Sequence, residues 1–206
     1  SREAYEQAIN LSPVYSHYRI SEEERKNGKI DRAINHLNKA LAIEPHNAGI
    51  KDSLGITHLL NEDFKKGFEL YEWRWRETKK SEEPTTKRLL GEYLQSSRAV
   101  WAGLPNQTVL VWAEQGIGDE IMFGSILQDL LSISKKVIFL CDHRLINIFR
   151  RSFPAGIEFV EKSKKVGEDL YDYHLPVGSL PRFFRPNKIS FVKNANPYLF
   201  CSTSKV

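Results

Sequence analysis

Cysteine is scarce in this 206-residue chain: Cys141 and Cys201 are the only two. They cannot build a disulfide framework, so a reducing, cytoplasmic setting is expected and stability must come from buried apolar surface. Long hydrophobic runs are missing as well; no stretch approaches the ~20 apolar residues of a membrane-spanning helix. The N-terminus lacks the basic and apolar regions of a signal peptide. The single methionine is Met122, not residue 1, and the chain opens inside a helical pattern, so its native start is expected upstream. Neither sign of charge dominates. Thirty Lys and Arg against 26 Asp and Glu leave a net charge of +4, interleaved as in Glu22-Glu23-Glu24-Arg25-Lys26. That is a mildly basic surface without the stripe of a nucleic-acid binder. The runs Lys162-Ser163-Lys164-Lys165 and Arg182-Phe183-Phe184-Arg185 read either as phosphate attractors or as solvated loops.

What is present is a hydrophobic fraction of 41% and an aromatic fraction of 11%, enough for a core in each of one or two domains. The first third looks repetitive. Ala8-Ile9-Asn10-Leu11-Ser12-Pro13 aligns with Ala40-Leu41-Ala42-Ile43-Glu44-Pro45, which places Pro13 and Pro45 32 residues apart as helix stops. Between them the pattern predicts a helix over Tyr18 to Lys26, a turn at Asn27-Gly28, and a second helix with Ile30, Ala33, Ile34, Leu37 and Ala40 on one face. A further unit follows through Ser53-Leu54-Gly55 and Leu59-Leu60, turns at Asn61-Glu62-Asp63, and continues with Phe64, Gly67, Phe68, Leu70 and Tyr71. Leu54-Gly55, small Gly67 and aromatic Tyr71 in this order resemble the tetratricopeptide family. Such arrays present a surface for a protein or peptide partner, or act only as spacers. The Trp73-Arg74-Trp75-Arg76 end reads as an aromatic seam against the next domain or as a ligand-stacking site. Residues 1–80 are thus assigned to repeats, 81–105 to a linker containing Pro84, and 106–206 to a second domain.

That second domain changes period. Thr108 to Ala113 is a short apolar run, the pattern of a strand buried on both faces. Glu120 to Leu131 has helical spacing, Lys136 to Cys141 is strand-like, Arg144 to Phe153 helical, and Ile157 to Val160 strand-like again. The succession predicts a parallel α/β domain. Its glycine loop Glu114-Gln115-Gly116-Ile117-Gly118-Asp119 falls at the carboxyl end of the first strand, where such folds place ligands. Gly116 and Gly118 allow close backbone approach, and the helix that follows points its unsatisfied N–H groups into the crevice. A third glycine is missing at Ile121 and no Gly-Lys-Ser/Thr follows, which excludes the dinucleotide and Walker motifs. Asp119 is either a helix-starting carboxylate or a general base for an attacking hydroxyl. No metal-ligand set is apparent.

The stretch Trp112 to Phe123 resembles the hallmark of bacterial tetratricopeptide proteins whose second half is a glycosyltransferase-like module related to the heptosyltransferases. Leu70 to Trp75 and Tyr171-Asp172-Tyr173-His174-Leu175-Pro176-Val177-Gly178-Ser179-Leu180-Pro181 agree with two further segments of that family, in the same order. The resemblance implies helical repeats followed by a Rossmann-like domain, the acceptor-side half of a GT-B fold. It implies that Asp119 is the catalytic base of an inverting transfer, with Gln115, Gly116, Gly118 and His174 around the sugar acceptor. For His174 a histidine satisfied by backbone stands beside that role. The family continues after Pro197-Tyr198-Leu199 with a donor domain, whereas this sequence ends at Val206. The resemblance therefore implies a fragment that is inactive by itself and holds no cofactor, the nucleotide-sugar donor belonging to the full-length parent. The alternative is a non-catalytic scaffold that binds proteins through its repeats.

Overall fold

The computed structural model describes residues 12–76, 94–192 and 197–201. The chain divides into two compact units, Ser1–Arg88 with Pro186–Ile189, and Leu89–Arg185 with Ser190–Val206. The expected linker segment Lys79 to Thr86 and the helix end Ala8 to Leu11 lie outside the described residues.

The first unit is two helical hairpins. Helix α1 (Pro13–Lys26) pairs with α2 (Ile30–Ile43), and α3 (Ala48–Leu60) pairs with α4 (Phe64–Tyr71), which tightens into a 3₁₀ turn at Glu72–Trp75. Gly28 takes a φ of 72° between α1 and α2, a left-handed turn that favours glycine. Tyr18, Leu37, Ala40, Ile50 and Leu54 form the core. The first helix begins five residues before the sequence pattern places it. Pro13 opens α1 at its first position, where proline's missing N–H costs nothing, whereas Pro45 lies in the loop between α2 and α3. The helix end that Pro13 was expected to stop lies outside the described residues, so the 32-residue alignment is not tested there; in the two hairpins Ile30 and Phe64, which open the second helix of each, are 34 residues apart.

The glycines of the second hairpin are there for packing. A Cβ on Gly55 would lie 2.9 Å from the Tyr71 backbone nitrogen and 3.0 Å from the Gly67 carbonyl oxygen. One on Gly67 would meet the Leu59 side chain at 2.6 Å. The aromatic end of this unit is held by cations: Lys51 Nζ is 3.6 Å from the Trp73 ring centre, with the Arg76 guanidinium 4.3 Å from the same ring.

The second unit is a four-stranded, wholly parallel sheet with helices between its strands. Strand β1 (Thr108–Trp112) leads through α5 (Ile117–Gly124) and α6 (Leu127–Ile133) to β2 (Lys136–Cys141), then through α7 (His143–Ser152) to β3 (Ile157–Glu161). The chain then returns past a 3₁₀ turn, Glu168–Leu170, to β4 (Tyr173–Pro176) on the far side of β1, giving the order β3-β2-β1-β4. Val109 faces Tyr173 and Leu110 faces His174 in register. One sheet face carries Val109, Val111, Val137, Phe139, Phe159 and Leu175, packed with Leu127, Leu130 and Phe149. The other face, with Leu110, Trp112, Ile138 and Leu140, is buried too, which explains the unbroken apolar runs.

Where one helix was expected over Glu120 to Leu131, two short ones stand. The Ser125 hydroxyl donates back to the Met122 carbonyl at 2.7 Å where α5 ends. Such local bonding competes with helix continuation. Residues 94–105, assigned to the linker end, belong to the second unit. Trp101 is buried, donates its indole N–H to the Leu104 carbonyl at 2.9 Å, and stacks against Phe183 and Phe184.

Candidate functional site

In a parallel sheet the crevice opens beyond the carboxyl ends of the strands, where the strand order reverses. Here that point lies between β1, from which the chain runs outward to β2 and β3, and β4, to which it returns. Two short segments flank it. After β1 comes Ala113-Glu114-Gln115-Gly116, leading into α5; after β4 comes the 3₁₀ turn Val177–Ser179, which packs beside α5. Glu114 and Ser179 are buried there.

Gly116 is the N-cap of α5, in extended backbone conformation, and its carbonyl accepts the amides of Asp119 at 3.0 Å and Glu120 at 3.2 Å. The first turn of α5 thus points its remaining amides towards the crevice, where an anion or a polarised hydroxyl is favoured. Gly116 and Gly118 are exposed; Gln115 and Asp119 are half-buried. Among the described residues the Asp119 carboxylate has no hydrogen-bond or ion-pair partner, so its lone pairs remain available.

Neither loop glycine is required by the fold. Both have ordinary backbone angles: positive φ among the described glycines belongs to Gly28, Gly103 and Gly156. A Cβ on Gly118 would meet nothing within 4 Å, and one on Gly116 only the Asp119 Oδ2 at an ordinary 3.7 Å. Glycine inside a helix costs about 0.5–1 kcal/mol relative to alanine. Residue 118, the second of α5, has no packing reason to be glycine, and its exposed backbone is open to close approach.

The sheet positions His174 differently from Gln115, Gly116, Gly118 and Asp119. It pairs with Leu110, about 10 Å along the strand from Ala113 at ~3.3 Å per residue. It is buried, its Nδ1 accepts the Trp112 indole N–H at 3.3 Å, and its ring also bonds the Arg98 backbone. Burial lowers its pKa, and the Arg98 bond and the Glu168 charge oppose that only in part. His174 is buried with both sides of its ring engaged, an arrangement that matches a structural histidine satisfied by its neighbours, the reading that stood beside acceptor binding. The four others cluster on one loop and helix start.

Sequence reasoning passed over a charged cluster behind the loop. Glu120, fully buried, accepts the Asp142 amide at 2.7 Å and the Lys162 ammonium at 3.1 Å. Asp142 caps α7 through the Arg144 amide at 3.0 Å and holds the Arg144 guanidinium at 2.9 and 3.0 Å, which lowers its pKa. A signal existed: Glu120 stands in the helical stripe 120, 123, 124, 127, whose other members Phe123, Gly124 and Leu127 are apolar or small and buried. Among the described residues no group of three or more His, Cys, Asp or Glu is placed to hold a metal ion. No helix among them is long and apolar enough to cross a membrane. Compared with protein-family models and with curated proteins, the chain matches none.

Proposed function

We propose that the second unit is a Rossmann-like acceptor domain of a glycosyltransferase-like protein, in which Asp119 takes the proton from a sugar-acceptor or protein hydroxyl as it attacks the anomeric carbon of a nucleotide-sugar. The observation that carries this is the pairing of a carboxylate that has no partner among the described residues with two loop glycines that the fold does not need, at the reversal point of a parallel sheet. A hydroxyl becomes acidic as its bond to the sugar forms, so the base needs proximity and free lone pairs more than a raised pKa. The backbone amides of the Gly116–Gly118 turn bind and orient the acceptor's oxygens. Gln115 lines the same crevice.

The helical unit fits a tetratricopeptide-type repeat: the 34-residue spacing of its hairpins and the Gly55–Gly67 contact support this. In this reading it recruits the protein or peptide that presents the acceptor. The competing role, a scaffold without chemistry, predicts partner binding that is indifferent to Asp119.

The test is nucleoside diphosphate release by the natural protein that carries this chain, offered a panel of UDP-, GDP- and ADP-sugars with candidate glycan and peptide acceptors. Wild type is expected to turn over at least one donor, and Asp119→Asn to lower its rate by about 10²- to 10⁴-fold, the usual worth of a positioned base. Absence of release from every donor, or an unchanged rate in the variant, overturns the proposal.

A further inference from the structure

Glu120 follows Asp119 in the first turn of α5, yet it faces the other way, with 0% of its surface exposed. Its two oxygens are divided between two partners from different strand ends. Oε2 accepts the backbone amide of Asp142, the residue after β2, and Oε1 accepts the ammonium of Lys162, the residue after β3. Lys162 also stands 3.7 Å from Asp142 Oδ2. One carboxylate therefore fastens the turns that follow three adjacent strands, β1, β2 and β3, at the edge where the crevice opens.

Stability alone is a poor account of this group. Taking a carboxylate out of water costs several kcal/mol, and a well-packed apolar side chain of similar size commonly does as well or better. Its neighbours on the same buried face of α5, Phe123 and Gly124, are apolar or small, as a residue chosen for packing alone would be. What a leucine there could not supply is direction: a hydrogen bond from the fixed Asp142 amide, joined by one from the Lys162 ammonium, sets the rotation of α5 about its axis and its height above the sheet. Because Asp119 shares that turn, through amides that both return to the Gly116 carbonyl, its direction is set as well.

We propose that Glu120 is the positioning residue for Asp119, acting through the Asp142 amide and Lys162 to hold the first turn of α5 in register with the strand ends. This rests on the assignment of Asp119 as the base. A misplacement on the order of 1 Å at a reacting group lowers turnover by up to about 100-fold without weakening donor binding.

The experiment compares wild type, Glu120→Leu, Glu120→Gln and Lys162→Met in the full chain by amide hydrogen exchange at Asp119, Asp142 and β1, and in the natural protein by kcat and donor KM. In Glu120→Leu, Asp119 and Asp142 are expected to exchange about 10-fold faster while β1 stays protected, a local opening. The kcat is expected to fall about 10- to 100-fold at unchanged donor KM. Glu120→Gln, which keeps an acceptor for the Asp142 amide, recovers most of the protection and part of kcat. Unchanged Asp119 exchange in folded Glu120→Leu, or loss of β1 protection in parallel with Asp119 and no recovery in Glu120→Gln, overturns the proposal. Should Glu120→Leu not fold, Lys162→Met decides: faster Asp119 exchange with β1 intact supports positioning, and wild-type exchange sinks it. If wild type transfers from no donor, the base assignment fails, while the exchange data still decide whether Glu120 holds the turn.

Discussion

The indole Nε1–H of Trp112 donates to Nδ1 of His174, 3.3 Å away, between neighbouring parallel strands. The contact assigns the histidine's tautomer: an accepting Nδ1 leaves the proton on Nε2, the side that can donate to the Arg98 backbone. Two polar groups that would each cost free energy if buried alone thus satisfy one another inside the sheet.

Acid sensitivity of the sheet follows from this pair. Burial holds the folded pKa of His174 below the ordinary 6.5. A depressed histidine is favoured neutral in the folded state, so the stability it contributes is full above about pH 6.5 and falls as pH drops through its folded value. Histidines with lowered pKa in the helical unit, His17 and His58, are separated from the effect by reading exchange of the β1 amides. Between pH 7 and 5 those amides are expected to lose protection in wild type and to lose less in His174→Gln, whose amide can both accept and donate. Equal loss in the two proteins would show that His174 is not the group responsible.

The two cysteines are expected to react very differently. Burial, with Glu120 and Asp142 nearby, pushes the Cys141 thiol up to about 12, whereas Cys201 is exposed. The thiolate is the reactive form. At pH 8 a disulfide reagent should titrate one thiol quickly and the second only on unfolding. Rapid modification of both in the folded chain would contradict the buried placement of Cys141.

Hydrophobic runs carried the sheet plainly: Thr108 to Trp112 and Lys136 to Cys141 are apolar because both faces of the sheet are covered. The strand β4 was not legible, since its four residues include a histidine and a proline and owe their extended form to pairing with β1. The break between α5 and α6 was hidden as well, because apolar spacing continues across it and Gly124-Ser125 alone marks the stop. At the site, the glycine loop declared itself through residue type. Glu120 and Lys162 did not, since they meet from 42 residues apart and each alone resembles a surface charge. For His174 the sequence left two roles open, because a polar residue reads as available or as satisfied according to neighbours, here Trp112 and the Arg98 backbone, that only the fold supplies.

Close packing makes Gly55 the least replaceable glycine of the helical unit. A methyl there would press on backbone atoms alone, at 2.9 Å from Tyr71 N and 3.0 Å from Gly67 O and Leu70 C, whereas at Gly67 two of the three nearest atoms belong to the Leu59 side chain, at 2.6 and 2.8 Å, with the Leu59 nitrogen at 3.0 Å. Overpacking against backbone costs roughly 1–3 kcal/mol. In denaturant unfolding Gly55→Ala is expected to destabilise the chain by that amount, and Gly67→Ala by less. Equal or reversed effects would mean that α3 and α4 can separate more freely than this contact allows.

At Gly118 the expectation has the opposite sign. Open space and an ordinary φ mean that alanine fits, and the gain in helix propensity is about 0.5–1 kcal/mol. Gly118→Ala should therefore raise the denaturation midpoint slightly, and Asp119→Asn should lower it by no more than the loss of one first-turn charge, about 0.3–1 kcal/mol, since the carboxylate has no partner to lose among the described residues. If the loop binds a ligand through its backbone, the same Gly118→Ala protein loses turnover in the donor assay by about 10-fold or more, because a methyl stands where the acceptor must approach. Stability and activity then move in opposite directions in a single substitution. A variant that gains stability with turnover intact would show that the backbone at residue 118 is not approached by the acceptor, and would confine the site to the Asp119 side of the turn.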